Sequence, residues 1–332
     1  MNHEPAGDGP RVLHVGEAAG TARHLLDEAS RRGLPWHHLP LADPVLDWPG
    51  PLRTAQRAAR GAAWLARLRL LASRHDIVHL HSASTFGHSR YAVRRFVLHC
   101  HGTDVRTAQY EPRLGPVVRE ALDVAERVLY STPDLAPHVL PRRPDAGYFP
   151  VPIDVRELPT WSRPERPRIV FASRWEPVKG LRRQLEVARS LRAALGDGVD
   201  VVGLDWGPAA QDARAAGVRL VPRLDHAAYL RWLAGSTAVV GQAAGILSAS
   251  ELEALGSGTP LLVPVPLPLY AADQPPVLGG DVAGVVELAR TLVAGGSHDP
   301  VPGRVWVERV HGAGRAVDTL EALYADVMAS RA

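Results

Sequence analysis

The chain of 332 residues is poor in several residue types, and each shortage excludes something. One cysteine, Cys100, leaves no internal disulfide and no thiolate metal site within a single chain. No apolar run reaches 18 residues, so no membrane span is expected. The opening "MNHEPAGDGP" lacks the basic start and apolar core of a signal peptide, which makes the cytoplasm the expected compartment. The formal net charge is only +3, its arginines are dispersed, and aromatics make up 6% of residues. Nucleic-acid binders cluster their charge and interleave it with aromatics, so no nucleic-acid partner is expected. Lysine is the sharpest shortage: Lys179 is the single lysine among 38 basic residues. A bias that writes every other cation as arginine implies that this one position uses an ammonium group for itself.

What remains is ordinary globular material, 46% hydrophobic and 22% charged, long enough for two α/β domains. Short apolar runs at 11–15, 76–81, 95–101 and 127–131 read as buried strands, with helix-length segments between them. The first is followed by "GEAAG" and a helix closed by Gly33. A proline-rich, aperiodic stretch, 149–168, reads as a linker. Beyond it the rhythm restarts with strands at 169–173, 199–204, 218–222, 237–242 and 259–265. Helices are expected at about 180–195, 226–234 and 249–257. Strands alternating with helices predict parallel βαβ units, with ligands at the carboxyl ends of the strands.

Arg174 and Lys179 follow the first strand of the second half, in "SRWEPVKGL". A lysine is a compact point charge suited to a phosphate oxygen, and an arginine beside it grips two oxygens; a basic loop after a strand is also commonly just a solvated turn. In "GILSASELEALGSGTP" (245–260), Ser248 and Glu251 have capping-box spacing, which starts a helix near Ala249 and turns its positive end toward the preceding loop. Glu251 is assigned to the cap. Glu253 is not needed for it and is free either to accept two hydrogen bonds from a ribose diol or to sit on a solvated helix face.

At these residues the chain resembles the family-4 retaining glycosyltransferases. "FASRWEPVKGL" resembles their strand-Gly-Arg-x4-Lys-Gly segment, and "ELEALGSGTPLL" the end of their Glu-x7-Glu motif. Fainter likenesses follow in order along nearly the whole chain: "HVGEAAGTARHLLDEASRRG", "DIVHLHS", "CHGTD", "FPVPIDVREL" and "VGLDWGP". The resemblance implies an α/β GT-B fold, two Rossmann-like domains whose parallel sheets face an interdomain cleft. Residues 1–155 would form the acceptor-side domain, 156–312 the donor domain, and 313–332 a terminal helix that crosses back to the first domain or stays on the second. It implies a hexosyltransferase-type enzyme moving a sugar from a nucleotide-diphosphate sugar, a UDP-sugar first and GDP or ADP next, to a glycan, lipid-linked or small-molecule acceptor. No cofactor and no metal ion are expected. Arg174, Lys179 and His101 would be catalytic. Arg174, Lys179, Glu253, the loop Gly245, Ile246, Leu247 and Ser248, and Arg223 with Leu224 at the base would bind the donor. Gly16, Glu17, Gly20 and Asp104 would line the acceptor and phosphate loops.

One departure stands out. Counting back without gaps from Glu253 puts Gly245 where the family has its first motif glutamate; a register slipped by three residues would put Gln242 there. The same fold binding a nucleotide sugar without transfer, or coupling an activated cyclitol, is therefore the alternative.

Two weaker patterns complete the reading. His79, His81, His99 and His101 form two His-x-His pairs whose members share a face, which geometrically allows a metal cluster, although histidines at strand ends beside a polar cleft are the commoner explanation. Arg53, Arg60, Arg67 and Arg74 recur every seventh residue over 52–74, a stripe that would either touch an anionic inner-membrane surface or form a solvated face.

Overall fold

The computed structural model describes residues 9–42 and 52–332 and divides into two compact units. The first comprises the described residues up to Pro152 together with Ala313–Ala332; the second is Ile153–Gly312.

The first unit is built on β1 (Val12–Val15), β2 (Trp36–Leu39), β3 (Ile77–His81), β4 (Val97–Cys100), β5 (Arg127–Tyr130) and β6 (Gly147–Tyr148). They pair in parallel in the order β2-β1-β3-β4-β5-β6. β1, β3 and β4 are buried along their whole length, as parallel strands covered on both faces must be. One face carries Leu13, Val15, Val78, Leu80, Leu98 and Cys100. The other begins with Val12, Ile77, Val97 and Leu129, packed beneath Val317, Leu320 and Tyr324 of the terminal helix Ala313–Ala329. Ion pairs hold that helix in this unit, Arg32 to Asp318 at 2.5 Å and Arg127 to Asp326 at 2.5 Å.

The second unit has β7 (Arg168–Phe171), β8 (Asp200–Leu204), β9 (Arg219–Val221), β10 (Ala238–Val240), β11 (Leu261–Val263) and β12 (Leu278–Gly279), parallel and ordered β12-β11-β10-β7-β8-β9. Counted from β7 this is the doubly wound order of a dinucleotide-binding sheet, in which the chain reverses direction between β7 and β10. In the first unit the reversal lies between β1 and β3. Loops leaving these four strands are where an open α/β sheet receives a ligand.

The reading of 149–168 as a linker needs correction. From Ile153 onward the segment is stitched into the second unit: Ile153 N donates to His311 O at 2.7 Å, Trp161 N to Ser257 O at 2.8 Å, and Trp161 Nε1 to Ser236 O at 2.8 Å. Proline removes donors and periodicity, which makes the sequence look like a free loop, yet these long-range main-chain bonds fix it to the second unit.

Candidate functional site

The loop leaving β7 is anchored by the residue between its two cations. Trp175 is fully buried and its Nε1 donates to Leu204 O at 3.0 Å, while Trp175 N donates to Trp206 O at 3.0 Å. Glycine is required opposite: a Cβ on Gly203 would come within 2.7 Å of the Trp175 ring, and one on Gly207 (φ 112°) within 2.6 Å of its carbonyl. The β7 and β8 loops are thus fastened to each other.

On that seat, Arg174 pairs with Glu176 at 2.7 Å and its guanidinium lies 5.2 Å from the centre of the Trp206 ring. Arg223, from the loop after β9, lies 4.4 Å from the same ring. Trp206 is 39% exposed, so the indole and its two guanidinium neighbours lie at the protein surface. Each cation–π contact contributes about 0.5–1 kcal/mol at such a site, enough to orient a guanidinium. Leu224 is exposed beside Arg223.

Lys179 ends a single 3₁₀ turn, Pro177–Lys179. Its carbonyl accepts from Ala243 N at 3.0 Å, which ties the β7 loop to the β10 loop across the reversal point. Gly180 follows with φ 73° and opens the helix Leu181–Leu195; a Cβ there would overlap the Ala243 carbonyl. Arg174 and Lys179 therefore both belong to the reversal point of the second sheet.

Glu251 organises the β10 loop. Fully buried, its carboxylate accepts from Gln242 N at 2.9 Å, from Ser248 N at 2.9 Å and from the Ser248 hydroxyl. The capping role is thereby met, and Glu251 also holds the strand end six residues before Ser248. Leu247 N donates to Tyr270 Oη at 3.1 Å, and Ile246 and Leu247 turn their side chains inward, leaving main chain to face a ligand. The cap carboxylate already answers the positive end of helix Ala249–Gly256.

Gly245 has φ 75° and nothing within 4 Å of a notional Cβ. A glutamate there would have room but a strained backbone. Gln242 is 1% exposed and its amide donates to Ile246 O at 3.1 Å, so it is a loop fastener. Glu253 is neither a solvated nor an open carboxylate: it is 5% exposed and pairs with His226 Nε2 at 2.7 Å. His226, which stands at the start of helix His226–Ala234, was missed by sequence reasoning; nothing local marks a lone histidine one residue after an N-cap aspartate.

In the first unit, Gly16 (φ 84°) ends β1, Glu17 accepts from Arg23 N at 2.9 Å, and Gly20 (φ 77°) opens helix Thr21–Arg31. Asp104 does not offer itself to a ligand. It is 4% exposed and accepts from the amides of Ala83 (2.9 Å), Gly102 (3.0 Å) and Val105 (2.9 Å), with His101 N at 3.2 Å. Its role is to hold the loop carrying His101. Burial pushes the His101 imidazole down to about 4, so the ring is neutral at pH 7 even with Asp104 pulling the other way. A cavity of about 880 Å³ lies between the helix Leu52–Ala72 and the β2 and β3 loops, lined by Leu41, Trp64, Leu65, Arg57, Arg60 and Thr85.

The paired histidines are not beside a polar cleft. His79, His81 and His99 are at most 1% exposed, within the sheet, while His101, just past the end of β4, is half-buried.

No protein-family profile and no curated protein matches the chain. Solved structures do. HepE of Anabaena, crystallised with UDP and glucose, superposes with a TM-score of 0.65 at 11% identity, covering 97% of this chain and 100% of that one. AviGT4, a glycosyltransferase involved in avilamycin A biosynthesis, gives 0.62 at 18% identity over 97% and 99%. A putative UDP-N-acetylglucosamine 2-epimerase from Listeria monocytogenes gives 0.58 at 14% identity over 96% of each chain. At these identities the likeness is one of fold: the chain has the α/β GT-B fold that glycosyltransferases share with UDP-sugar epimerases.

Proposed function

We propose that this protein is a retaining glycosyltransferase that takes a sugar from a nucleotide-diphosphate sugar, a UDP-sugar first, without a metal ion at the diphosphate. One observation carries the reading: Ala243 N donates to Lys179 O, so the loop that bears Arg174 and the single lysine adjoins the reversal point of a doubly wound sheet. The fold shared with HepE, crystallised with UDP and glucose, and with the glycosyltransferase AviGT4 supports it.

In this reading Arg174 and Lys179 meet the diphosphate as its bond to the sugar breaks. Cations already held in place stabilise developing charge without reorganising, and losing one costs ~10²–10³ in rate. Glu176 and Trp206 keep the Arg174 guanidinium aimed. Trp206, Arg223 and Leu224 present the surface for the base. Glu253, oriented by its pairing with His226, is assigned to the ribose hydroxyls. In the second unit the main chain of 245–248 serves the sugar; in the first unit the Gly16–Gly20 loop and neutral His101 serve the acceptor. The cavity beside helix Leu52–Ala72, apolar with two arginines, suits an amphipathic acceptor bearing negative charge; helix residues Arg53, Arg57 and Arg67 are exposed, which fits peripheral contact with an anionic membrane.

The test is release of nucleotide diphosphate from UDP-sugars by wild type, Arg174→Ala and Lys179→Ala. A fall of ~10²–10³ in each variant supports the reading; undiminished rates in both would refute it. A second reading, binding without transfer, is favoured by Gly245, which supplies no carboxylate to the sugar. Saturable binding of a UDP-sugar with no product across acceptors would establish that one instead.

A further inference from the structure

Five histidines form a continuous layer inside the first unit, on the sheet face that bears Val12, Ile77 and Val97. His14 on β1 lies opposite His79 on β3, and His81 on β3 lies opposite His99 on β4. Their rings touch: His14–His79 centroids are 4.9 Å apart, His79–His81 4.7 Å, and His99–His101 4.0 Å. A hydrogen-bonded chain runs from His14 Nδ1 to His81 Nε2 (3.0 Å) and from His81 Nδ1 to His101 Nε2 (3.2 Å).

The chain leaves much unanswered. His14 Nε2, His79 Nε2, His101 Nδ1 and both ring nitrogens of His99 are buried without a well-formed hydrogen bond, the main chain of Phe149 being a near polar neighbour of His99. Buried polar atoms are nearly always satisfied, and one or two orphans would be unremarkable, but five in one layer ask for a partner. The donors are all imidazole: Cys100 belongs to the opposite face, and Asp104 is occupied by backbone amides.

We propose that His79, His81 and His99 bind one borderline transition-metal dication, Zn²⁺ being the first candidate, in the interior of the first unit. One nitrogen from each lies within 4.8 Å of the others. Ligand nitrogens sit at about 2.0–2.1 Å from zinc, which places them closer together than this, and small ring rotations close the set. Imidazole nitrogens suit zinc, nickel, cobalt and copper, whereas magnesium and calcium take oxygen, so the site is chemically separate from any ion that accompanies a diphosphate. Tyr324 supplies the support such a site needs. Its hydroxyl lies 2.6 Å from His79 Nδ1, fixing that ring and leaving Nε2 to face the cluster. Bound metal would fasten β3 to β4 and, through Tyr324, to the terminal helix. His81 gives up one of its two imidazole partners on binding.

The experiment uses the full chain without an oligohistidine tag, stripped with chelator and titrated with Zn²⁺ alone, with Co²⁺ as the spectroscopic probe. One ion per chain, a raised melting temperature and a Co²⁺ spectrum of nitrogen ligation are expected. His99→Gln should abolish uptake, and Tyr324→Phe should weaken it ~10–100-fold. Should His99→Gln fail to fold, Tyr324→Phe decides. The exposed pair His37 and His75, with ring nitrogens 3.0 Å apart, is the surface competitor. No uptake by wild type, or uptake lost in His75→Gln but unchanged in Tyr324→Phe, overturns the proposal.

Discussion

Ala243 N donates to Lys179 O at 3.0 Å, so the loop leaving β7 and the loop leaving β10 are one structure at the point where the second sheet reverses. The contact is between main chains, and it needs Gly180 next to it, at φ 73° and pressed on the Ala243 carbonyl.

Gly180→Ala is therefore expected to separate the two loops. The positive φ and the overlap together should cost about 1–3 kcal/mol. Denaturant unfolding reads that cost, and binding of UDP to the folded variant should fall with it. An unchanged midpoint would mean that the loops are held elsewhere.

Glu251 makes a complementary prediction from the other side of the contact. Replacing it with Ala orphans the amides of Gln242 and Ser248, each at about 1–3 kcal/mol. Glu251→Ala should thus be among the most destabilising single changes in the second unit, and Glu251→Gln milder. Melting temperatures of the two variants check the order.

Much of this was legible in the sequence. The Ser248–Glu251 spacing predicted both the helix start and the cap, and continuous apolar runs predicted β1, β3, β4, β5 and most of the second sheet. β2, with the polar centre of "WHHL", gave no such signal because an edge strand needs only its ends buried. The two-residue strands β6 and β12 are too short for any periodicity to register. At the site, residue chemistry pointed to Arg174 and Lys179, but the contacts that position them are long-range: Trp206 lies 32 residues from Arg174, and Ala243 64 residues from Lys179. Asp104 and Gln242 looked like ligand groups because a motif shows side chains and not the backbone amides and carbonyls that occupy them.

Trp206 separates binding from stability. It is 39% exposed, and among the described residues its ring meets the guanidinium groups of Arg174 and Arg223. Trp206→Ala should leave unfolding free energy within about 2 kcal/mol of wild type, the size of the two lost cation–π contacts. Affinity for a nucleoside diphosphate should drop, and calorimetry would show it; a variant that binds UDP as wild type does would remove Trp206 from the base surface.

The histidine layer predicts an early acid transition in chelator-treated protein. Burial holds His14 at about 3 and His101 at about 4, and drives His79, His81 and His99 well below 6.5. Unfolded histidines bind protons near pH 6.5 while the folded ones refuse them, so stability is complete above 6.5 and is lost as pH falls toward the folded values. Each ring contributes up to ~1.4 kcal/mol per pH unit in that window. Melting temperature should fall steeply between pH 6.5 and 5, and a flat profile there would show that the layer is not buried and neutral.

The measurement closest to the central claim is thermal melting of wild type and Lys179→Ala against UDP, GDP, ADP and dTDP. A ligand at 100 times its Kd stabilises by ~2.7 kcal/mol, which moves a melting point visibly. The account predicts that one diphosphate, UDP first, raises the melting temperature of wild type and fails to raise that of Lys179→Ala. If no diphosphate moves wild type at millimolar concentration, or if the variant responds equally, the single lysine is not a phosphate ligand and the transferase reading is contradicted.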